Sequence, residues 1–246
     1  MSIVENIAAI RARIARAAAR AGRTTDEITL VAVSKTYPAE KIREAFDAGI
    51  SHFGENRVQE WEGKHAHLAD LAATWHLIGH LQSNKARRAV SLFHSVDSVD
   101  SASLAQKLDR AFAESNANAP PAAFRLPVLI EVRLAPEHSK SGVHPDGLPA
   151  LAEAILKLPH LDLRGLMAIP PLLNDPEDVR PYFRRLRELR DSLRTRSSSI
   201  EGLNLQPATS NPLPVLSMGM SHDFEVAIEE GATEVRLGTA VFGHRK

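Results

Sequence analysis

The chain contains no cysteine. That excludes disulfides, thiolate nucleophiles and thiolate metal sites, and it fits a reducing compartment, so a cytoplasmic protein is expected. Nor is there an excess of charge: Lys plus Arg and Asp plus Glu number 30 each among 246 residues. Composition therefore gives no long-range attraction to nucleic acid or to an anionic membrane, and neither is expected as a partner. No apolar run reaches the ~18 residues of a membrane span. Lysine is itself scarce, 8 residues against 22 arginines. A lysine in an apolar setting is thus harder to dismiss as surface decoration.

What is present begins with "MSIVENIAAIRARIARAAARAGR". Ile3, Ile7, Ile10, Ile14 and Ala17 recur on one helical face, with Arg11, Arg13, Arg16 and Arg20 mostly elsewhere. The segment lacks the apolar core of a signal peptide and reads as an amphipathic helix packed on the domain. An Arg-rich transit peptide or a surface membrane helix is the alternative.

The rest alternates. The unbroken apolar run Ile28 to Val33, in "ITLVAVSKTYP", predicts a strand buried on both faces, the signature of a parallel sheet. Helical periodicity over 39–49 follows, and the pattern repeats: strands in "SHFGEN", "TWHLIG", "LFHSVDS", "LPVLIEVR", "LRGLMAI", "PVLSMG" and "TEVRLG". Helices are expected over 57–71, after Asn84, and over 102–115, 146–158, 177–195 and 222–231. Eight strands, each but the last followed by a helix, predict one α/β domain over 1–246: a (β/α)8 TIM barrel with an additional N-terminal helix. An open doubly wound sheet competes, but no Gly-x-Gly-x-x-Gly follows the first strand. "SNANAPPAAF" and "TRSSSIEGLNLQPATSNP" read as loops too short to separate domains.

In such folds ligands sit at the carboxyl ends of the strands. Lys35 falls at the end of the first strand. A desolvated lysine can shed its proton and attack a carbonyl, whereas arginine cannot, so Lys35 is a candidate Schiff-base residue, most naturally for pyridoxal 5'-phosphate. A lysine snorkelling to the rim of an ordinary barrel is the alternative. In "LSMGMSHDFEVAIEEGATEVRLGTAVFG", Ser217, Met218, Gly219, Met220 and Ser221 run from a strand into a helix start that offers N–H groups and hydroxyls to an anion. Gly238 and Thr239 follow the eighth strand, the other half of a barrel phosphate site. Arg236, if inward, could donate to a pyridine nitrogen; if outward, it pairs with a helix carboxylate. His76 and His80 have no carboxylate or third His at ligand spacing and read as lining or core groups, not metal ligands. Glu55, Asn56, Arg57, Lys85 and Lys140 are further polar residues at strand ends. The Arg run over 180–196 is interleaved with Glu188 and Asp191 and reads as a solvated helix face.

Six blocks, "LVAVSKTYP", "HFGENRVQE", "WHLIGHLQSNK", "SKSG", "GLMAIPP" and the long carboxyl-terminal one quoted above, stand in the order found in a known family. The chain resembles the pyridoxal phosphate homeostasis proteins, single-domain members of the fold-type III group that also contains alanine racemase. The resemblance implies that Lys35 forms the internal aldimine, that Ser217, Gly219, Ser221, Gly238 and Thr239 surround the phosphate, that Arg236 faces the pyridine nitrogen, and that Asn56 lies beside the cofactor; Met218, within the same stretch, is counted among the cofactor-binding residues. One block departs: where members often carry Asn on the fifth strand, this chain has "EVRLAPEHSKSG", with Glu131 and Arg133.

The function so implied is non-catalytic: holding pyridoxal 5'-phosphate, limiting free aldehyde, and delivering it to pyridoxal phosphate-dependent apoenzymes. A racemase is the alternative. It needs a second base opposite Lys35, which fold-type III racemases take as a Tyr from an additional domain of a partner subunit. Here the chain ends soon after its eighth strand and its only tyrosines are Tyr37 and Tyr182. A monomer or weak dimer is therefore expected.

Overall fold

The computed structural model describes residues 2–117, 125–135, 141–197 and 212–243. Its strands are β1 (Thr29–Val33), β2 (His52–Glu55), β3 (Thr74–Leu77), β4 (Ser95–Val99), β5 (Leu126–Glu131), β6 (Leu161–Met167), β7 (Val215–Ser217) and β8 (Glu234–Leu237). The helices are α1 (Ile3–Arg20), α2 (Ala39–Asp47), α3 (Val58–His65), α4 (Ala86–Leu92), α5 (Ala102–Ser115), α6 (Leu148–Leu156), α7 (Arg180–Ser197), α8 (Phe224–Glu229) and α9 (Thr239–Phe242). The strands form a closed, all-parallel barrel in sequence order, with β8 pairing back onto β1. This is the TIM barrel with an added N-terminal helix that the alternation predicts.

Local chemistry explains the elements. Ser2 and Glu5 form a reciprocal capping box that starts α1. The helix then buries Ile3, Ile7, Ile10, Ile14 and Ala17, each isoleucine contributing roughly 1.5–3 kcal/mol of gross burial energy. Its polar face is also tied to the last α/β unit, by Arg13 to Glu225 at 2.8 Å and Asn6 Nδ2 to the Val241 carbonyl at 2.9 Å. Packing on the barrel thus accounts for the amphipathic pattern.

Several boundaries shift by two or three residues from the sequence reading, and three larger differences have a local cause. A short helix, α9, does follow β8. The α3 helix ends at His65 rather than near Leu71, its tail tightening into turns (His67 N–H to Lys64 O, 3.0 Å) that bury Leu68 completely. The strand expected to start at Leu92 starts at Ser95, because Leu92 closes α4 and its carbonyl accepts from the Trp61 indole at 2.9 Å. No described helix is long and apolar enough to cross a membrane.

Alternation along the strands sends one set of side chains into the barrel. Register matches Val31 with Arg236, Gly54 with His76, His76 with Ser95, and Ser217 with Glu234. The interior is consequently polar along one side, an arrangement that requires each buried group to find a partner.

Candidate functional site

At the end of β1, Ser34 is fully buried and Lys35 half-buried. Thr36 then adopts φ +67°. A β-branched residue in the left-handed region is strained, by about 1–2 kcal/mol, and persists only when surrounding groups hold it. They do so here. The Thr36 N–H donates a short hydrogen bond to Glu60 Oε1. Lys64 Nζ donates to the Ser34 carbonyl at 3.1 Å, to Glu60 Oε1 at 3.1 Å and to Glu55 Oε1 at 2.8 Å. Ser34 Oγ also donates to Glu55 Oε1, at 2.8 Å. Burial pushes the Glu55 carboxyl up, while the Lys64 ammonium opposes that shift. Burial also works to raise Glu60, yet the Thr36 N–H and Lys64 bring it below the usual carboxylate range. The turn that carries Lys35 is therefore clamped by α3 and β2. Sequence reasoning missed Glu60 and Lys64; their i,i+4 spacing was visible, but nothing local says that they wrap onto β1.

The β1/β8 register aligns Ala32 with Leu237, so the end of β1 lies beside the loop that begins at Gly238, where a Cβ would lie 3.5 Å from the Val33 carbonyl oxygen. That loop and the one after β7 meet: Ser221 Oγ accepts from the Ala240 N–H at 3.2 Å. Gly219 sits at φ +94°, and a Cβ there would come within 2.6 Å of the Ala227 Cβ and 3.0 Å of the Phe224 Cα. Only glycine lets this chain pass so close to α8. The backbone N–H groups of Gly219, Ser221, Gly238 and Thr239 meet no acceptor among the described residues. Four such donors on two facing loops form a cradle suited to a phosphate-sized anion.

Ser217 and Met218 lie elsewhere than the sequence reading placed them. Ser217 is the last residue of β7 and is fully buried in the barrel, donating to Glu234 Oε1 at 2.6 Å and accepting from Arg236 Nη1 at 2.6 Å. Met218 packs in the hydrophobic core and its N–H donates to the Glu234 carbonyl at 3.0 Å. Strand alternation is the reason: residue 217 points inward, residue 218 outward, and the chain leaves the sheet only at Gly219. Arg236 does point inward, 3 % exposed, with Nη2 donating to the Ala168 carbonyl at 2.9 Å. Burial draws its ordinary pKa down, while Glu234, Asp97, Glu131 and Asp223 pull the other way.

Asn56 follows β2, half-buried, its backbone so near Gly79 that a Cβ on the latter would lie 2.3 Å from the Asn56 carbonyl oxygen. Glu131 is buried at the end of β5, accepting from Ser141 Oγ at 3.0 Å, while its Oε2 has no partner among the described residues. Burial pushes its carboxyl up. Arg133 is half-buried just beyond; Lys85 ends a short turn before α4; Lys140 lies outside the described residues. Tyr37 does not curl over Lys35: its hydroxyl donates to the Gly243 carbonyl at 2.8 Å and its ring stacks on Phe242 at 4.5 Å. His80 is exposed, 3.4 Å from Asp100. His76, by contrast, meets two carboxylates from distant strands, Asp97 at 3.0 Å and Glu234 at 3.9 Å, which spacing in the sequence does not reveal.

A closed parallel barrel with a clamped, lysine-bearing turn after β1, an inward arginine on β8 and an anion cradle at the β7 and β8 ends defines a fold-type III, alanine racemase-like protein. The model of the alanine racemase N-terminal domain matches residues 6–246. The pyridoxal phosphate homeostasis protein of Pseudomonas aeruginosa is 48% identical over 244 residues, covering 99% of this chain and 96% of that protein. That of Aquifex aeolicus is 45% identical over 246 residues, with 100% of both chains covered. The structure of PipY from Synechococcus elongatus with pyridoxal phosphate bound is 38% identical, has a TM-score of 0.81, and is matched over 98% of this chain and 100% of that one. The chain belongs to the pyridoxal phosphate homeostasis protein family.

Proposed function

We propose that this protein is a non-catalytic carrier of pyridoxal 5'-phosphate, taking part in intracellular cofactor homeostasis and delivering the cofactor to apoenzymes. When bound, the aldehyde would condense with Lys35 Nζ, losing water, to give an aldimine that holds the cofactor reversibly. Gly219, Ser221, Gly238 and Thr239 would hold the phosphate, Asn56 would lie beside the ring, and Arg236 would face the pyridine nitrogen. Ser217 and Met218 are left out of the phosphate set on the geometry above.

The observation that supports this reading is the clamped turn carrying Lys35 at the end of β1, which pairs with β8, the strand that carries Arg236 and ends at the Gly238 loop. One ligand with an aldehyde and a phosphate answers both ends. An arginine facing the pyridine nitrogen is a donor that does not readily give up its proton. It would leave that nitrogen unprotonated and the ring a weak electron sink, which favours holding over carbanion chemistry. Racemisation also needs an opposing base, and Tyr37 is bonded to Gly243 while Tyr182 lies on α7, in the outer ring.

The test is the absorbance spectrum of the protein with added pyridoxal 5'-phosphate beside Lys35→Ala, followed by a racemisation assay on the same samples. A yellow aldimine band that vanishes in the variant, without amino-acid racemisation, is expected. Unaltered binding by Lys35→Ala would remove Lys35 from the site, and robust turnover would make the protein an enzyme.

A further inference from the structure

The barrel interior holds a buried network of hydrogen bonds and ion pairs that binding of a phosphorylated aldehyde at the mouth does not require. Arg236 Nη1 donates to Ser217 Oγ at 2.6 Å, and Ser217 Oγ donates to Glu234 Oε1 at 2.6 Å. Glu234 Oε2 lies 3.9 Å from His76 Nδ1, which is 3.0 Å from Asp97 Oδ2. Ser95 Oγ donates to Asp97 Oδ1 at 2.7 Å, and His76 Nε2 reaches His52 Nδ1 at 3.0 Å. Ser217, Glu234, Arg236, His76 and Asp97 are all at least nine-tenths buried.

His76, Asp97 and Glu234 have the composition of a metal site, but charge argues against one. An imidazolium and the Arg236 guanidinium balance the two carboxylates, whereas a divalent cation on a neutral imidazole would leave a net positive charge in a sealed interior. The cluster is complete as a buried salt-bridge network, and its outlet toward the mouth is Arg236.

A guanidinium held by one carbonyl, that of Ala168, could swing about that contact. The second anchor, Ser217, removes that freedom, and Ser217 is in turn fixed because its hydroxyl donates to Glu234. We propose that Ser217 and Glu234 are positioning residues, which together aim the Arg236 guanidinium at the ring nitrogen of the bound cofactor, with the His76–Asp97 pair as their electrostatic backing. The inference rests on the carrier reading above. It gives Ser217 a task at the ring nitrogen, not at the phosphate.

The test compares two ligands by equilibrium absorbance titration: pyridoxal 5'-phosphate, and its analogue in which C–H replaces the ring nitrogen. Both keep the aldehyde and the phosphate, and the intrinsic difference between the two ligands is the same for every variant, so a change in their affinity ratio reports the contact at the ring nitrogen. Wild type is expected to prefer the nitrogen compound. Ser217→Ala and Glu234→Met are expected to cut that preference by about fivefold or more, and Ser217→Thr, which restores a hydroxyl, to recover most of it. Loss of affinity for both ligands alike in both variants, or an unchanged ratio, would overturn the inference while the carrier reading stands. Wild type showing no absorbance change with pyridoxal 5'-phosphate would overturn both. If Glu234→Met fails to fold, as judged by its circular dichroism spectrum, Ser217→Ala, which keeps every charge in place, decides the question.

Discussion

His76 gives the molecule a pH dependence whose sign and size follow from its surroundings. Burial opposes its charge, but the Asp97 carboxylate at 3.0 Å, with Glu234 behind it, outweighs that and pushes its pKa up to about 9 from an ordinary 6.5. The folded protein thus binds a proton that the unfolded chain releases between those two values. Stability from this group is fully present below pH 6.5 and is lost as pH rises through 9. At about 1.4 kcal/mol per pH decade, the loss amounts to about 3 kcal/mol. Burial and the neighbouring Asp97 push the Glu234 carboxyl up, while His76 opposes that shift. His52 is drawn down by burial and by the His76 charge, so it is the neutral partner in the pair. Urea unfolding followed by circular dichroism at pH 6, 7.5 and 9.5 should therefore show stability falling by about 3 kcal/mol in wild type. His76→Gln fills similar space without a titrating ring, and its curve should be flatter over this range by most of that amount, whatever its absolute stability. An equal slope in wild type and His76→Gln would refute the assignment of an imidazolium to the barrel core.

Two further predictions concern the mouth. Lys64→Met strips the fully buried Glu55 of its counter-charge and should destabilise the fold by about 3–5 kcal/mol near neutral pH, with a large part recovered in the double variant carrying Glu55→Gln; thermal melts of wild type, the two single variants and the double variant check this, and strict additivity would show that the two residues are not coupled. Gly219→Ala combines a positive φ with a Cβ 2.6 Å from Ala227, and should cost about 2 kcal/mol or more of stability and weaken binding of inorganic phosphate and pyridoxal 5'-phosphate together; retained phosphate affinity would detach Gly219 from the anion cradle.

Much of the barrel was legible in the sequence because its determinants are local. The apolar run over 28–33 and the helical spacing of Ile3, Ile7, Ile10 and Ile14 declare period and burial without reference to anything distant, and eight repeats of strand and helix constrain closure. Lys35, Gly219, Gly238 and Arg236 could likewise be singled out, since a lone lysine or glycine at a strand end is a local anomaly. What only the tertiary structure decided are relations between strands. Whether Ser217 meets a phosphate or an arginine depends on a single residue of alternation and on the β7/β8 register, which no local pattern sets. His76 showed no ligand or counter-charge at helical or strand spacing, because Asp97 and Glu234 reach it from β4 and from β8 across the closed barrel. The Glu60–Lys64 clamp behind Lys35 arises in the same way, from α3 folding back over β1. Propensity and periodicity act within a few residues of chain. The partners of a buried charge are chosen by barrel closure, which brings His76 and Glu234, more than a hundred positions apart in the chain, within 3.9 Å.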